Sequence, residues 1–250
     1  MLEALMWGLI STSSLVLGGV IGCFVKIGNR PLGLIMAFGA GVLISAVSYE
    51  LVFEAITLGK GTGAPTLGLA VGALTFFFGD KAISGMGADN RTKIGQKPGG
   101  GQAALVVPML LGIILDGVPE SLCIGLGILE AGTVSLAMLV AVFISNLPEA
   151  IAGTTGMKAG GWGNGKILGL WVVIAVFCAL CTVAGFALFD GLPEFWLAFV
   201  QAFAAGAILT MLANSMMPEA FEHGGKMAGL FTVLGFTASV AVVLMERAQG

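Results

Sequence analysis

The sequence predicts an all-α integral membrane protein of eight transmembrane helices. Only 10% of its 250 residues are charged, 57% are hydrophobic and 40 are glycines without a collagen period, a composition too apolar for a water-facing surface. Eight runs approach the ~20 apolar residues that cross a bilayer. The breaks between them are rich in glycine, proline or charge, the residues that interrupt helices.

The first run, residues 4–26, lacks a basic leading segment and an A-x-A-like cleavage site, so it is expected to remain as a helix. The second and third, 32–58 and 65–83, follow short polar connections. The fourth and fifth, 103–129 and 133–157, each carry a proline and several polar residues in mid-run. The sixth, 167–189, is almost wholly apolar, and the seventh and eighth occupy 195–221 and 227–245. Small-residue spacings such as Gly18 to Gly22 and Gly68 to Gly72 suit close helix packing. The chain, 1–250, reads as a single transmembrane domain. Within it "SGMGADNRTKIGQKPGGG", Ser84 to Gly101, is expected to be a flexible loop between helices three and four.

Basic residues set the expected orientation. Lys26, Arg30, Lys81, Arg91, Lys93, Lys97, Lys158, Lys166 and Lys226 fall in odd-numbered connections, leaving only Lys60 and Arg247 on the other side. The positive-inside rule then puts both termini outside and the 84–101 loop in the cytoplasm. The net charge of -3 is thinly spread and gives no sign of a nucleic-acid partner.

Two stretches carry the chemistry: "LDGVPESLCIGL", Leu115 to Leu126, and "ISNLPEAIAGT", Ile144 to Thr154. A carboxylate near the bilayer centre costs about 2.5 kcal/mol or more, so it normally faces a polar cavity, a partner or an ion. Asp116 and Glu120 are four residues apart, and Asn146 and Glu149 three, so each pair shares a helix face. Pro119 frees the carbonyl of Leu115, and Pro148 that of Ile144, one turn earlier. These oxygens suit a cation; the alternative is a pair of structural kinks whose acids bond to each other or to hydroxyls.

The chain resembles the ZIP (Zrt/Irt-like) family of divalent-metal transporters, as a divergent member. Asp116-Gly117-Val118-Pro119-Glu120-Ser121 and Ser145-Asn146-Leu147-Pro148-Glu149-Ala150 resemble the family's fourth- and fifth-helix signatures. "GVLISAVSYELVFEA", Gly41 to Ala55, and "AAGAILTMLANSMMPEA", Ala204 to Ala220, are similar to its second- and seventh-helix patterns. The resemblance implies a 3+2+3 bundle with outward termini. It also implies a metal site of Asp116, Glu120 and Glu149, with Ser145 and Asn146 as weaker neutral donors. Asp116 stands in the family's usual His position, Gly117 in its Asn position, Thr182 where helix six often has Glu, and Glu50 where helix two has His. One site rather than two is therefore expected. Its oxygen-rich donors shift the expectation toward manganese or iron(II), although zinc also accepts carboxylates.

Accessory metal ligands are open at Cys178 and Cys181, which form a C-x-x-C, at the adjoining Thr182, at Glu50 and Glu54 on helix two, and at Glu219 and His223 on helix seven. Each has a plainer reading, as packing thiols or solvated helix ends. "DGLPEF", Asp190 to Phe195, is read as an outward helix start whose Glu194 binds nothing. The expected function is transport of zinc, iron(II) or manganese toward the cytoplasm, without a prosthetic group and with the metal as substrate. The partners are the metal and the lipid bilayer of a plasma or inner membrane, with a homodimer left open. The alternatives are a non-transporting metal sensor and an intramembrane enzyme using the paired carboxylates. Against the enzyme, there is no convincing Ser/His/Asp set, H-E-x-x-H or nucleotide loop.

Overall fold

The computed structural model describes residues 1–84 and 106–249; the expected 84–101 loop, beyond Ser84 itself, lies outside the described residues. Among the described residues, eight helices long and apolar enough to cross a membrane account for the fold, which is that of an all-α integral membrane protein. They are α1 (Leu2–Phe24), α2 (Asn29–Leu58), α3 (Ala64–Ile83), α4 (Val106–Ala131), α5 (Leu136–Ala159), α6 (Asn164–Ala187), α7 (Glu194–Gly224) and α8 (Met227–Gln249).

Several boundaries differ from the apolar runs, for local reasons. Polar residues enter α2 at Asn29, because Pro31 lies in its first turn where no backbone donor is needed. Helix α7 continues to Gly224 and stops where Gly225 turns to a φ of 61°, a left-handed conformation that favours glycine. Both α2 and α7 widen into a π-helical turn in mid-course, at Val47–Val52 and Leu212–Met216.

These two widened turns belong to an internal repeat. Residues 37–55, AFGAGVLISAVSYELVFEA, align without gaps on 202–220, AFAAGAILTMLANSMMPEA, which pairs Gly41 with Gly206 and Glu54 with Glu219. Packing follows the alignment. A β-carbon at Gly41 would run into the carbonyl of Thr232 in α8, and one at Gly206 into the carbonyl of Leu69 in α3. Gly235 likewise closes on the carbonyl of Phe38, and Gly72 on that of Phe203. The α2–α8 and α7–α3 crossings are thus equivalent. Helix α2 is an even-numbered span and α7 an odd-numbered one, so the two copies of this segment are inverted relative to each other. Thr12 Oγ1 of α1 donates to the carbonyl of Ala175 in α6 at 3.1 Å.

Packing divides the helices into two groups of four. In one, α1 lies against α5 and α6, and α6 against α4. Its own apolar core contains Leu15, Ile113, Ala150, Met157, Trp171 and Ile174. Polar ties reinforce it: Trp171 Nε1 donates to Thr154 Oγ1 at 2.8 Å, and Lys158 Nζ donates to the last-turn carbonyl of Cys23 at 2.6 Å, a cation at the negative end of α1. In the other group α2 packs on α8, α3 on α7, and α2 on the end of α7. The groups meet mainly where α2 crosses α5 and α7 crosses α4. Helices α3 and α8 are the most exposed spans, as expected of lipid-facing elements.

Candidate metal site

Both Pro-Glu motifs sit in mid-helix on α4 and α5. Asp116, Glu120, Ser145, Asn146 and Glu149 are all buried, with Glu120 2% exposed and Glu149 8%. Helical spacing puts Asp116 one turn before Glu120, and Ser145 one turn before Glu149. The two helices are joined by Ser145 Oγ, which donates to Glu120 Oε1 at 3.4 Å and also to the carbonyl of Val142 at 3.1 Å. Glu120 Oε2 is buried without a hydrogen-bond donor. Among the described residues, however, no three His, Cys, Asp or Glu side chains stand together at ligating distance. What comes together is a carboxylate–hydroxyl contact across α4 and α5, with further acids one turn away along each helix.

The neighbouring helices explain two features of the motifs. Gly117 has no side chain, and the thiol of Cys178 occupies the adjoining space: a β-carbon at Gly117 would lie 2.9 Å from Cys178 Sγ. The Ile144 carbonyl freed by Pro148 meets Gly39 of α2, whose missing β-carbon would lie 3.4 Å away. That oxygen is covered by a helix crossing.

The accessory residues fall into separate places. Cys178 and Cys181 are free thiols, the first buried and the second partly so. Thr182 is fully buried at the meeting of α1, α4 and α6, its side chain against Gly8 and its carbonyl against Gly125, with Oγ1 donating to the Cys178 carbonyl at 3.4 Å. Its visible task is helix packing. Glu219 is buried, and partly buried His223 packs on Gly33, whose β-carbon would lie 2.7 Å from His223 Cβ. Glu194 is exposed at the first position of α7, as expected of the look-alike "DGLPEF" turn.

Glu50 and Glu54 line a cavity of about 410 Å³ at the far ends of α2, α4, α5 and α8, together with Glu130, Glu246, Arg247, Ser135 and Cys123. Glu246 accepts hydrogen bonds from the backbone N–H groups of Leu136 and Ala137, capping α5. Arg247 lies over the Phe53 ring, 5.1 Å from its centroid. Glu130 accepts from the Gln201 side-chain amide of α7. The sequence reading passed over Glu130 and Gln201. A signal for Glu130 was available: Glu120, Cys123, Gly127 and Glu130 recur at helical spacing and form one stripe of α4. Nothing marked Gln201, whose partner is 71 residues away.

No family model matches the chain. A protein of Arabidopsis thaliana named "Putative zinc transporter" is 26% identical over 234 residues, covering 92% of this chain. The chain spans 36% of that protein's length. The likeness supports a relationship to metal transporters.

Proposed function

We propose that the chain is a ZIP-type transporter that moves a divalent transition-metal cation toward the cytoplasm across the plasma or inner membrane, with both termini outside. The observation that carries this reading is the pair of buried mid-helix glutamates, Glu120 and Glu149, in repeated Pro-Glu motifs on the two central helices. Two such carboxylates in one apolar bundle are costly without a cation to face. The zinc-transporter name of the Arabidopsis relative points the same way.

In this reading Asp116, Glu120 and Glu149 are the charged ligands, and Ser145 and Asn146 add neutral oxygens. Ser145 already touches Glu120. Bringing Glu149 and Asp116 to the same ion requires α4 and α5 to adjust, and each is interrupted near its centre by proline. The donors are oxygens, which suit manganese and iron(II) and are accepted by zinc. All five sit on one four-helix group, so rocking that group against the other would carry the ion from one side to the other. Release requires that binding stay moderate.

Uptake by proteoliposomes of zinc, iron(II) and manganese, against empty vesicles, tests the proposal. Protein-dependent accumulation of at least one metal, abolished by Glu120→Gln, is expected. Binding without accumulation would favour a sensor, and neither would remove the metal reading altogether.

A further inference from the structure

The outer-end cavity holds more acid than its neighbours use. Of the carboxylates there, Glu246 caps α5 and Glu50 lies beside the Ser135 hydroxyl, while the single guanidinium, Arg247, is held over Phe53. Glu54 and Glu130 remain, from α2 and α4, near enough to repel each other. A second observation is independent of that cluster. Gln201 of α7 is 1% exposed, and its Nε2 donates to Glu130 Oε2. That single bond leaves Gln201 Oε1 and Glu130 Oε1, two buried acceptors on side chains in contact, without a donor. Exchanging the amide oxygen and nitrogen does not help, because a carboxylate and an amide bring three acceptors and only one group of N–H donors. Buried acceptors of this kind need a cation, a proton or a water.

We propose that Glu54, Glu130 and Gln201 form a second, outer site for a hard divalent cation, separate from the Glu120–Glu149 site. Two carboxylates and an amide carbonyl are oxygen donors of the type that manganese takes. Below them, Gly127 has nothing within 4 Å of where its β-carbon would stand, and Cys123 lines the same cavity one turn from Glu120. Along the α4 stripe the cavity therefore reaches within one turn of Glu120. The placement on a path rests on the transport reading; the binding does not.

The test is manganese binding to the purified full chain, followed by electron paramagnetic resonance, with monodisperse elution as the check on folding. The parent is expected to hold two ions per chain and Glu120→Gln one. Adding Glu130→Gln to Glu120→Gln should weaken that remaining ion by at least about tenfold. The exchanged pair Glu130→Gln with Gln201→Glu keeps one carboxylate and one amide in contact and should restore it. Loss of all manganese in Glu120→Gln, from a parent holding one ion, overturns the outer site and leaves the central one standing. In a parent that holds only one ion, an ion that survives Glu120→Gln and disappears with Glu130→Gln overturns the central site instead. A parent that takes no manganese, its buried acceptors satisfied by water, overturns both.

Discussion

Replacing Glu120 by Gln removes one charge while keeping the side chain's size and one oxygen, so it isolates electrostatics at the proposed metal site. Two unit charges 4 Å apart attract by about 4 kcal/mol at an effective dielectric of 20, and a divalent ion doubles this to about 8 kcal/mol. Desolvating the ion and the carboxylate offsets more than half of it, leaving about 3 kcal/mol, or roughly 150-fold in Kd. Glu120 is 2% exposed, so solvent screens little of this. Ligand linkage turns the number into a thermal-shift prediction. At a metal concentration 100 times the parent's Kd, binding stabilises the fold by about 2.7 kcal/mol; at a Kd 150-fold weaker the same concentration contributes about 0.3 kcal/mol. Metal-free Glu120→Gln should be no less stable than the parent, since a buried charge has gone and the amide carbonyl still accepts from Ser145. The assay is unfolding in detergent with and without metal, backed by equilibrium dialysis, with exposed Glu194→Gln as the control. A Glu120→Gln protein that keeps the parent's Kd and thermal shift would refute the argument and leave the two Pro-Glu motifs as kinks.

Glu149→Gln should weaken metal binding to a similar degree, measured by the same dialysis, because Glu149 is likewise buried in mid-helix. Uptake should fall as the medium is acidified, since protonated carboxylates lose charge and protons then compete with metal; uptake into vesicles without a proton gradient that rises steadily on acidification would contradict carboxylate ligation. A cysteine introduced at Gly95 should stay unlabelled by an impermeant reagent outside intact cells, as the basic-residue asymmetry requires. Gly41→Ala should lower thermal stability by about 1–3 kcal/mol, because its β-carbon meets the Thr232 carbonyl. Gly169→Ala, with nothing within 4 Å, should be neutral or stabilise by about 0.5–1 kcal/mol.

The sequence by itself determined the eight helices and the placing of acids in the middle of α4 and α5. A spanning helix must satisfy its own backbone and present an apolar surface to lipid, so length and composition reveal it. A carboxylate in such a run is conspicuous for the same reason, which is why Asp116, Glu120 and Glu149 could be singled out from spacing alone. The internal repeat was also written in the chain, in 37–55 and 202–220. It became decisive only when Gly41 and Gly206 were found closing on equivalent carbonyls. Tertiary structure decided what depends on contacts between distant segments: the division into two groups of four helices, the thiol of Cys178 beside Gly117, Thr182 as a packing residue, and the meeting of Glu130 with Gln201. Helical periodicity fixes which residues share a face but not which helix that face will meet, because in a bilayer apolar faces suit lipid as well as one another. Close glycine contacts and a few buried hydrogen bonds make that choice.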